Sequence, residues 1–243
     1  MRTELLAIFF FSFISAFSQN SSKYSNEFLN IGVDARSIGM ANAVVSSVND
    51  VNATYWNPAG LLSIERDEIA LMHSSYFANI ANYNFISYAK SIDNESAIGF
   101  SLIRFGVDDI LDTTQLIDSQ GNIDFNRIEL FSAADYAFLI SYAKKNNLLN
   151  LNYGFNVKMI RRIIGDFANS WGFGIDLGIQ YESKNGWKFG LMARDITTTF
   201  NKWSFNQDRL ENIQNAIVGQ NQEIPEKSEI TIPKLQLGFS KDF

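Results

Sequence analysis

The chain has 243 residues, 19% of them charged and 14% aromatic, with no cysteine, one histidine and a net charge of −6. These numbers exclude a disulfide scaffold, a thiolate nucleophile, a Cys-ligated metal and a multi-His metal centre within one chain. The acidic balance argues against a nucleic-acid partner, and a chain so poor in catalytic groups is expected to carry no cofactor.

Residues 1–18, MRTELLAIFFFSFISAFS, read as an export signal. Arg2 supplies the positive start, Leu5–Ile14 the apolar run, and Ala16 and Ser18 the small residues before a cleavage point after Ser18. The run is too short for a spanning helix, which needs about 20 apolar residues. No later segment is long and apolar enough to be such a helix. A soluble exported protein and an outer-membrane barrel both remain, because amphipathic strands escape hydropathy scans.

Residues 28–66 are dense in turn and cap signals. Gly39 permits a tight turn, and Ala41–Val48 predicts a short strand. Asp50 is placed to cap a one-turn helix across Val51–Tyr55. Asn57 precedes Pro58 and is biased away from helix. Pro58 and Gly60 then define a turn before Leu61.

From Glu68 onward the pattern is alternation. Candidate strands are Glu68–Phe77, Ala81–Ile92, Ala97–Gly106, Ala133–Lys144, Leu149–Met159, Ser170–Glu182, Gly186–Arg194 and Ile230–Phe243. In Ser170–Glu182, Trp171, Phe173, Ile175, Leu177, Ile179 and Tyr181 share one parity. Gly, Asp, Ser, Gln and Glu hold the other, so one face is apolar and one polar. Trp171 and Tyr181 lie about 33 Å apart along a strand. At a tilt of about 40° that projects to about 25 Å, the height of an outer-membrane apolar band between aromatic girdles. A soluble β-sandwich or lipocalin-like barrel is the competing fold, but large residues opposite glycines fit a narrow lumen better. Asn146–Asn147 and Lys184–Gly186 read as short turns. Long loops fall near 107–132 and 197–229; within the second, Leu210, Ile213 and Ile217 have the spacing of a short amphipathic helix.

The elements Asp34-Ala35-Arg36, Gly39-Met40 and Tyr55-Trp56-Asn57-Pro58-Ala59-Gly60-Leu61 resemble the start of PorV/PorQ-family outer-membrane proteins, relatives of the FadL-type barrels. The resemblance runs over most of the mature chain and weakens in the loops. It implies an all-β transmembrane barrel of 14 strands. It further implies a signal peptide at 1–18, a segment at 19–66 partly in the lumen, and barrel strands over 67–243. The implied role is non-enzymatic: an outer-membrane component of the type IX secretion and gliding machinery, binding a translocon, a cargo or a surface-attached partner. Asn57, Pro58, Ala59 and Gly60 are then structural, and Trp171 and Tyr181 are girdle residues at the lipid bilayer. About nine strands can be placed, counting Ala41–Val48, and a 14-stranded member needs roughly 100 more residues, so the chain is expected to be C-terminally incomplete. Against that, Leu235, Leu237 and Phe239 alternate toward Phe243 as a terminal strand would, with Lys241 interrupting. The alternative function is a FadL-like channel for hydrophobic small molecules, against which the Asn, Gly and charge of the lumen parity argue.

Three further clusters have chemical readings. His73 with Ser74 and Ser75 offers a base and a nucleophile for an esterase or lipid deacylase. Ser74 points to the other face, and Ser75 sits two positions along, so a polar rim or lumen patch is the plainer reading. Residues 118–129 loosely follow a calcium loop, with Gln120, Asn122, Asp124 and Glu129 at ligand positions but Ile123 where glycine belongs. An ordinary Asx-rich loop explains it. Lys158, Arg161 and Arg162 form a basic cluster able to meet a lipid headgroup or acidic neighbours; a solvated strand end is the plainer reading.

Overall fold

A computed structural model describes residues 25–117, 120–209 and 228–241. The signal segment, the Leu210–Ile217 helix and Phe243 lie outside the described residues. Ten strands form one antiparallel sheet: β1 (Glu68–Tyr76), β2 (Ala81–Asp93), β3 (Ser96–Asp112), β4 (Glu129–Asn146), β5 (Leu151–Ile164), β6 (Ala168–Glu182), β7 (Trp187–Arg194), β8 (Thr199–Phe205), β9 (Ser228–Thr231) and β10 (Lys234–Lys241). The sheet curls into an all-β half-barrel.

The two last pairs are broken staves. β6 pairs with β7 along Leu177–Glu182 and with β8 along Ala168–Phe173. β7 and β8 therefore lie end to end, separated by a turn in which Asp195 and Thr198 adopt positive φ. β9 and β10 lie end to end beside them, pairing β8 and β7. Pro233, which has no N–H to give to the ladder, sits at that break. The ten segments thus make eight staves among the described residues: β1 to β6, β7 with β8, and β9 with β10.

Seven of the eight expected strands are found, most of them longer than the alternation marked; Ile230–Phe243, expected as one strand, is instead broken at Ile232 and Pro233 into β9 and β10. β3 and β4 run to 17 and 18 residues, far beyond the ordinary strand of about 5–6. Their extension shortens the first long loop to 113–128. A register shift between Val107 and Ile110, with Asp109 at positive φ, lets β3 continue where its alternation fails. The second long loop loses its first residues to β8. Both long connections leave one end of the sheet, and the turns 94–95, 147–150 and 183–186 close the other.

Another expectation is corrected: Ala41–Val48 forms no strand but a series of turns. Ala41 and Asn42 both take positive φ, and Asn42 N–H donates to the Ser37 carbonyl, closing the end of the Ala35–Gly39 helix. A helix terminus satisfied in this way leaves no extended chain to pair. The one-turn helix starts two residues later than expected, over Ala53–Trp56, with Asn52 and not Asp50 at its N-cap; Asp50 accepts from Asn52 N–H at 2.9 Å in the turn before it. A 3₁₀ segment, Pro58–Ser63, follows.

Residues 25–66 lie against the concave face. Val33, Val51, Ala53, Trp56, Leu61 and Ile64 pack there with Tyr83, Phe85, Ile103, Ala137, Leu139 and Ile160 of the strands. The core of this protein is therefore inside the curl, between a helical-turn segment and the sheet.

Candidate functional site

The two faces of the sheet are inverted relative to a water-soluble fold. Along β6 the polar and glycine parity is buried and the large apolar parity faces out. The outward rows are continuous across strands: Phe138, Met159 and Phe173 are directly opposite one another, then Ile140, Val157 and Ile175, then Tyr142, Phe155 and Leu177. Phe173 is 61% exposed and Leu237 74%. An apolar surface of this extent is far larger than a soluble monomer leaves open. Trp171 ends the apolar run of β6 toward the long loops, beneath the Arg161 guanidinium at 4.7 Å. Tyr181 ends it toward the short turns and stacks on Phe189.

The buried parity receives residues 25–66. Asn57 is extended (φ −165°), as a residue before proline must be. That geometry aims its side chain at the sheet. Its amide donates to the Val45 carbonyl at 2.9 Å, to Ile179 at 3.1 Å and to Leu191 at 3.4 Å, while its carbonyl accepts from Ala59 N–H. Asn57 thus ties the segment to itself and to β6 and β7. The approach needs missing side chains on the strands. A Cβ at Gly178 would overlap the Asn57 carbonyl, and one at Gly190 the Val45 carbonyl; one at Gly154 would lie 2.8 Å from Ala59 N. Gly60 is required from the other side, where a Cβ would strike the Val48 carbonyl. Ala59 is fully buried between them.

Beside this contact lies a buried ionic network. Lys158 Nζ of β5 is 2.7 Å from Asp176 of β6 and 2.6 Å from Asp195 in the β7–β8 turn. Thr199 donates to Asp195, and Asp195 N–H to Asp176. Arg194, also buried, donates to the Leu29 and Tyr55 carbonyls at 3.2 and 3.0 Å and lies 4.5 Å over the Tyr55 ring. Asn156 donates to the Thr54 carbonyl at 2.9 Å. Two cations face two carboxylates, so the buried charge is balanced, as burial requires.

The basic trio of the sequence is split by strand alternation. Lys158 and Arg162 point inward. Arg162 pairs with Asp135 at 2.8 Å and Glu229 at 3.0 Å and covers Trp203. Arg161 alone points outward. In the Asx-rich loop, Asp124 accepts from Asn126 N–H and pairs with Arg127, and Glu129 pairs with Arg209. Asp118 and Ser119 lie outside the described residues. His73 and Ser75 do meet: Ser75 Oγ is 3.3 Å from His73 Nε2, and Asn84 Oδ1 is 2.7 Å from His73 Nδ1. All three are on the outward face of β1 and β2. Sequence reasoning put Asp176 on the lumen parity without pairing it with Lys158, and it missed Arg194, Asp195 and Asn201, whose amide donates to Asn26. The available signal was charge or amide on the same parity as the glycines of β5 and β6.

Against known proteins, no curated protein matches the chain. A family model, that of the Type IX secretion system protein PorV, matches residues 15–203. The match covers most of the chain, including the Asn57–Gly60 turn, its glycine bed and the buried ionic network. The chain belongs to the PorV family of outer-membrane type IX secretion components.

Proposed function

We propose that this chain is a lumen-filled barrel protein that serves secretion by binding other proteins, and not by conducting a substrate through itself. The observation that carries the reading is the occupied concave face. Residues 25–66 fill it through hydrophobic packing, the Asn57 amide, and the Asn156 and Arg194 donors of the strands. Among the described residues, the pockets beside this segment and the short-turn end of β5 and β6, about 50 and 470 Å³, are lined mainly by polar and charged side chains such as Asn152, Gln180 and Glu182. That lining is too polar for a fatty acid, which weakens the channel reading. The apolar depressions open outward instead. The role requires no covalent chemistry. A translocon component, a secreted cargo or a surface-attached protein would engage the end of the sheet at which β3 ends and β4 begins, beyond Asp112 and Phe205.

In this reading the outward apolar face meets the lipid of the outer membrane, with Trp171 and Tyr181 at its two interfaces. The export signal at 1–18 delivers the chain there. The sheet residues belong to the barrel and residues 25–66 to its plug. Ile140→Lys, in the middle of the outward face, then destabilises the membrane-inserted protein by about 2–4 kcal/mol. Urea titration in lipid vesicles measures it; an unchanged midpoint would mean that the face meets water or protein.

The main test is mass spectrometry of the tagged full chain purified from native outer membranes in mild detergent. Stoichiometric recovery with a large translocon component or a secreted protein is the expected result. Recovery of the chain alone with tightly bound fatty acid would overturn it in favour of the channel.

A further inference from the structure

We infer that Arg161 and Lys202, on either side of Trp171 on the outward face, bind the phosphomonoester headgroup of an anionic membrane lipid whose acyl chains lie along the neighbouring apolar row. The inference rests on the reading that this face meets lipid, and it deepens that reading by naming the lipid chemistry.

The sheet register builds the site. Arg104, Tyr136, Arg161, Trp171 and Lys202 are directly opposite one another on β3, β4, β5, β6 and β8. Cationic and aromatic side chains therefore alternate along one row across five strands. Two positions nearer the short turns, Leu102, Phe138, Met159, Phe173 and Phe200 form the next outward row in the same unbroken register. That row is wholly apolar. The outward surface thus changes from hydrocarbon to cation within two residues, about 7 Å along a strand. A lipid presents the same change between its acyl chains and its headgroup.

Charge selects two of the three cations. Arg104 is already paired with Asp108 at 2.6 Å. Arg161 and Lys202 have no carboxylate partner among the described residues. Lys202 is exposed. Arg161 donates to the Asn169 side-chain oxygen at 2.7 Å and lies 4.7 Å over the Trp171 ring. Asn169 takes one of the five N–H donors of a guanidinium, and the ring holds the plane in place, so donors remain for a ligand. By contrast Lys90, on the outward face at the other end of the sheet, has Asp67 at 3.8 Å.

The two cations are two strands apart, about 10 Å between backbones. Both side chains are long enough to converge on one group above Trp171. A phosphomonoester carries a charge of about −1.5 to −2 near neutrality and so balances the pair. A zwitterionic headgroup brings its own cation and gains less. Trp171 offers the amphipathic ring suited to the boundary between headgroup and chain, and Phe173 and Phe200 extend the surface on which the chains lie. A free anion would meet the cations but cover none of that apolar surface.

Native mass spectrometry of the full chain in maltoside micelles tests the site, with dipalmitoyl phosphatidic acid as the probe. The expected result is one saturable phosphatidic acid, held about twenty-fold more tightly than dipalmitoyl phosphatidylcholine. Arg161→Gln and Lys202→Gln should each weaken retention about fivefold, and together about twenty-five-fold. Lys202→Arg keeps the charge and should keep the lipid. Lys184→Gln, in the turn at the other end of the sheet, should change nothing. Heat-modifiable migration on gels confirms that each variant folds. Equal retention of the two lipids, or phosphatidic acid that survives the double variant in folded protein, would overturn the assignment. Displacement of the lipid by equimolar inorganic phosphate would assign the site to a free anion and overturn it as well. In each of these cases the face still meets lipid. Failure of that underlying reading is seen instead as an unchanged unfolding midpoint in Ile140→Lys, so the two fail separately.

Discussion

The segment 25–66 rests on two unlike halves of the same sheet. Toward β2, β3 and β4 it is held by apolar packing: Val51, Leu61 and Ile64 against Tyr83, Phe85, Ile103 and Leu139. Toward β5, β6 and β7 it is seated on glycines and held by the Asn57 amide and by the Asn156 and Arg194 side chains, which an ion-pair network within the strands supports. The apolar half tolerates imprecision, because hydrophobic burial is non-directional. The polar half does not, since each buried donor or charge costs free energy unless its partner is in place. The first half supplies adhesion, and the second decides where the segment sits.

That contrast is open to attack by mutation, most strongly at the ion pairs. Lys158→Ala leaves Asp176 and Asp195 buried beside Arg194 alone, and should destabilise by about 3–5 kcal/mol. Thermal unfolding in detergent micelles measures it; a loss of under a third of that would mean water reaches the network. Leu61→Ala attacks the apolar half. Leu61 is fully buried, and the cavity should cost about 3 kcal/mol. The segment should stay seated, so protease resistance of residues 25–66 should survive this variant and be lost in Lys158→Ala. Asn57→Ala removes the donor shared among Val45, Ile179 and Leu191 and should cost about 2 kcal/mol. The same unfolding assay with Asn57→Asp separates shape from donation, because the acid keeps the size but cannot donate to those carbonyls when ionised. Gly39→Ala is the smallest change. A Cβ there meets nothing within 4 Å, so the shift should stay within about 0.5 kcal/mol, on the stabilising side if helix propensity acts. A large loss at Gly39 would mean that the segment's turns carry constraints outside both halves.

Much of the sheet was legible because period-two alternation is a local signal. The apolar parity of Trp171 to Tyr181 marks its strand without reference to any neighbour. Where the account went wrong, a local signal had been overridden. Ala41–Val48 has strand-forming valines, yet Ala41 and Asn42 close the preceding helix end instead. Beyond Gly106 the β3 alternation fails, so its last turn of strand was read as loop; only the bulge and the pairing with β4 carry it to Asp112. The candidate sites follow the same rule. Lys158, Arg161 and Arg162 look like one cluster along the chain, but successive strand residues point oppositely, and the three end up on two faces. Ser75 and His73 look too far apart by backbone spacing, and the side chains close the gap. Asn84, which completes the arrangement, is eleven positions from His73 and becomes its neighbour only through the β1–β2 register.

By itself, the amino-acid sequence determined the alternating faces, the turn at Asn57–Gly60 and the family, since each rests on residues adjacent or two apart in the chain. The glycines on one parity already pointed to that face as the interior, and the tertiary structure decided that residues 25–66 fill it. It also decided that the glycines of β5, β6 and β7 exist to admit Asn57, Ala59 and Val45, and that Lys158 finds Asp176 and Asp195 across two strands. Those are choices of register and curvature, set by the summed packing of a whole sheet around residues 25–66, and no short window of sequence contains that sum.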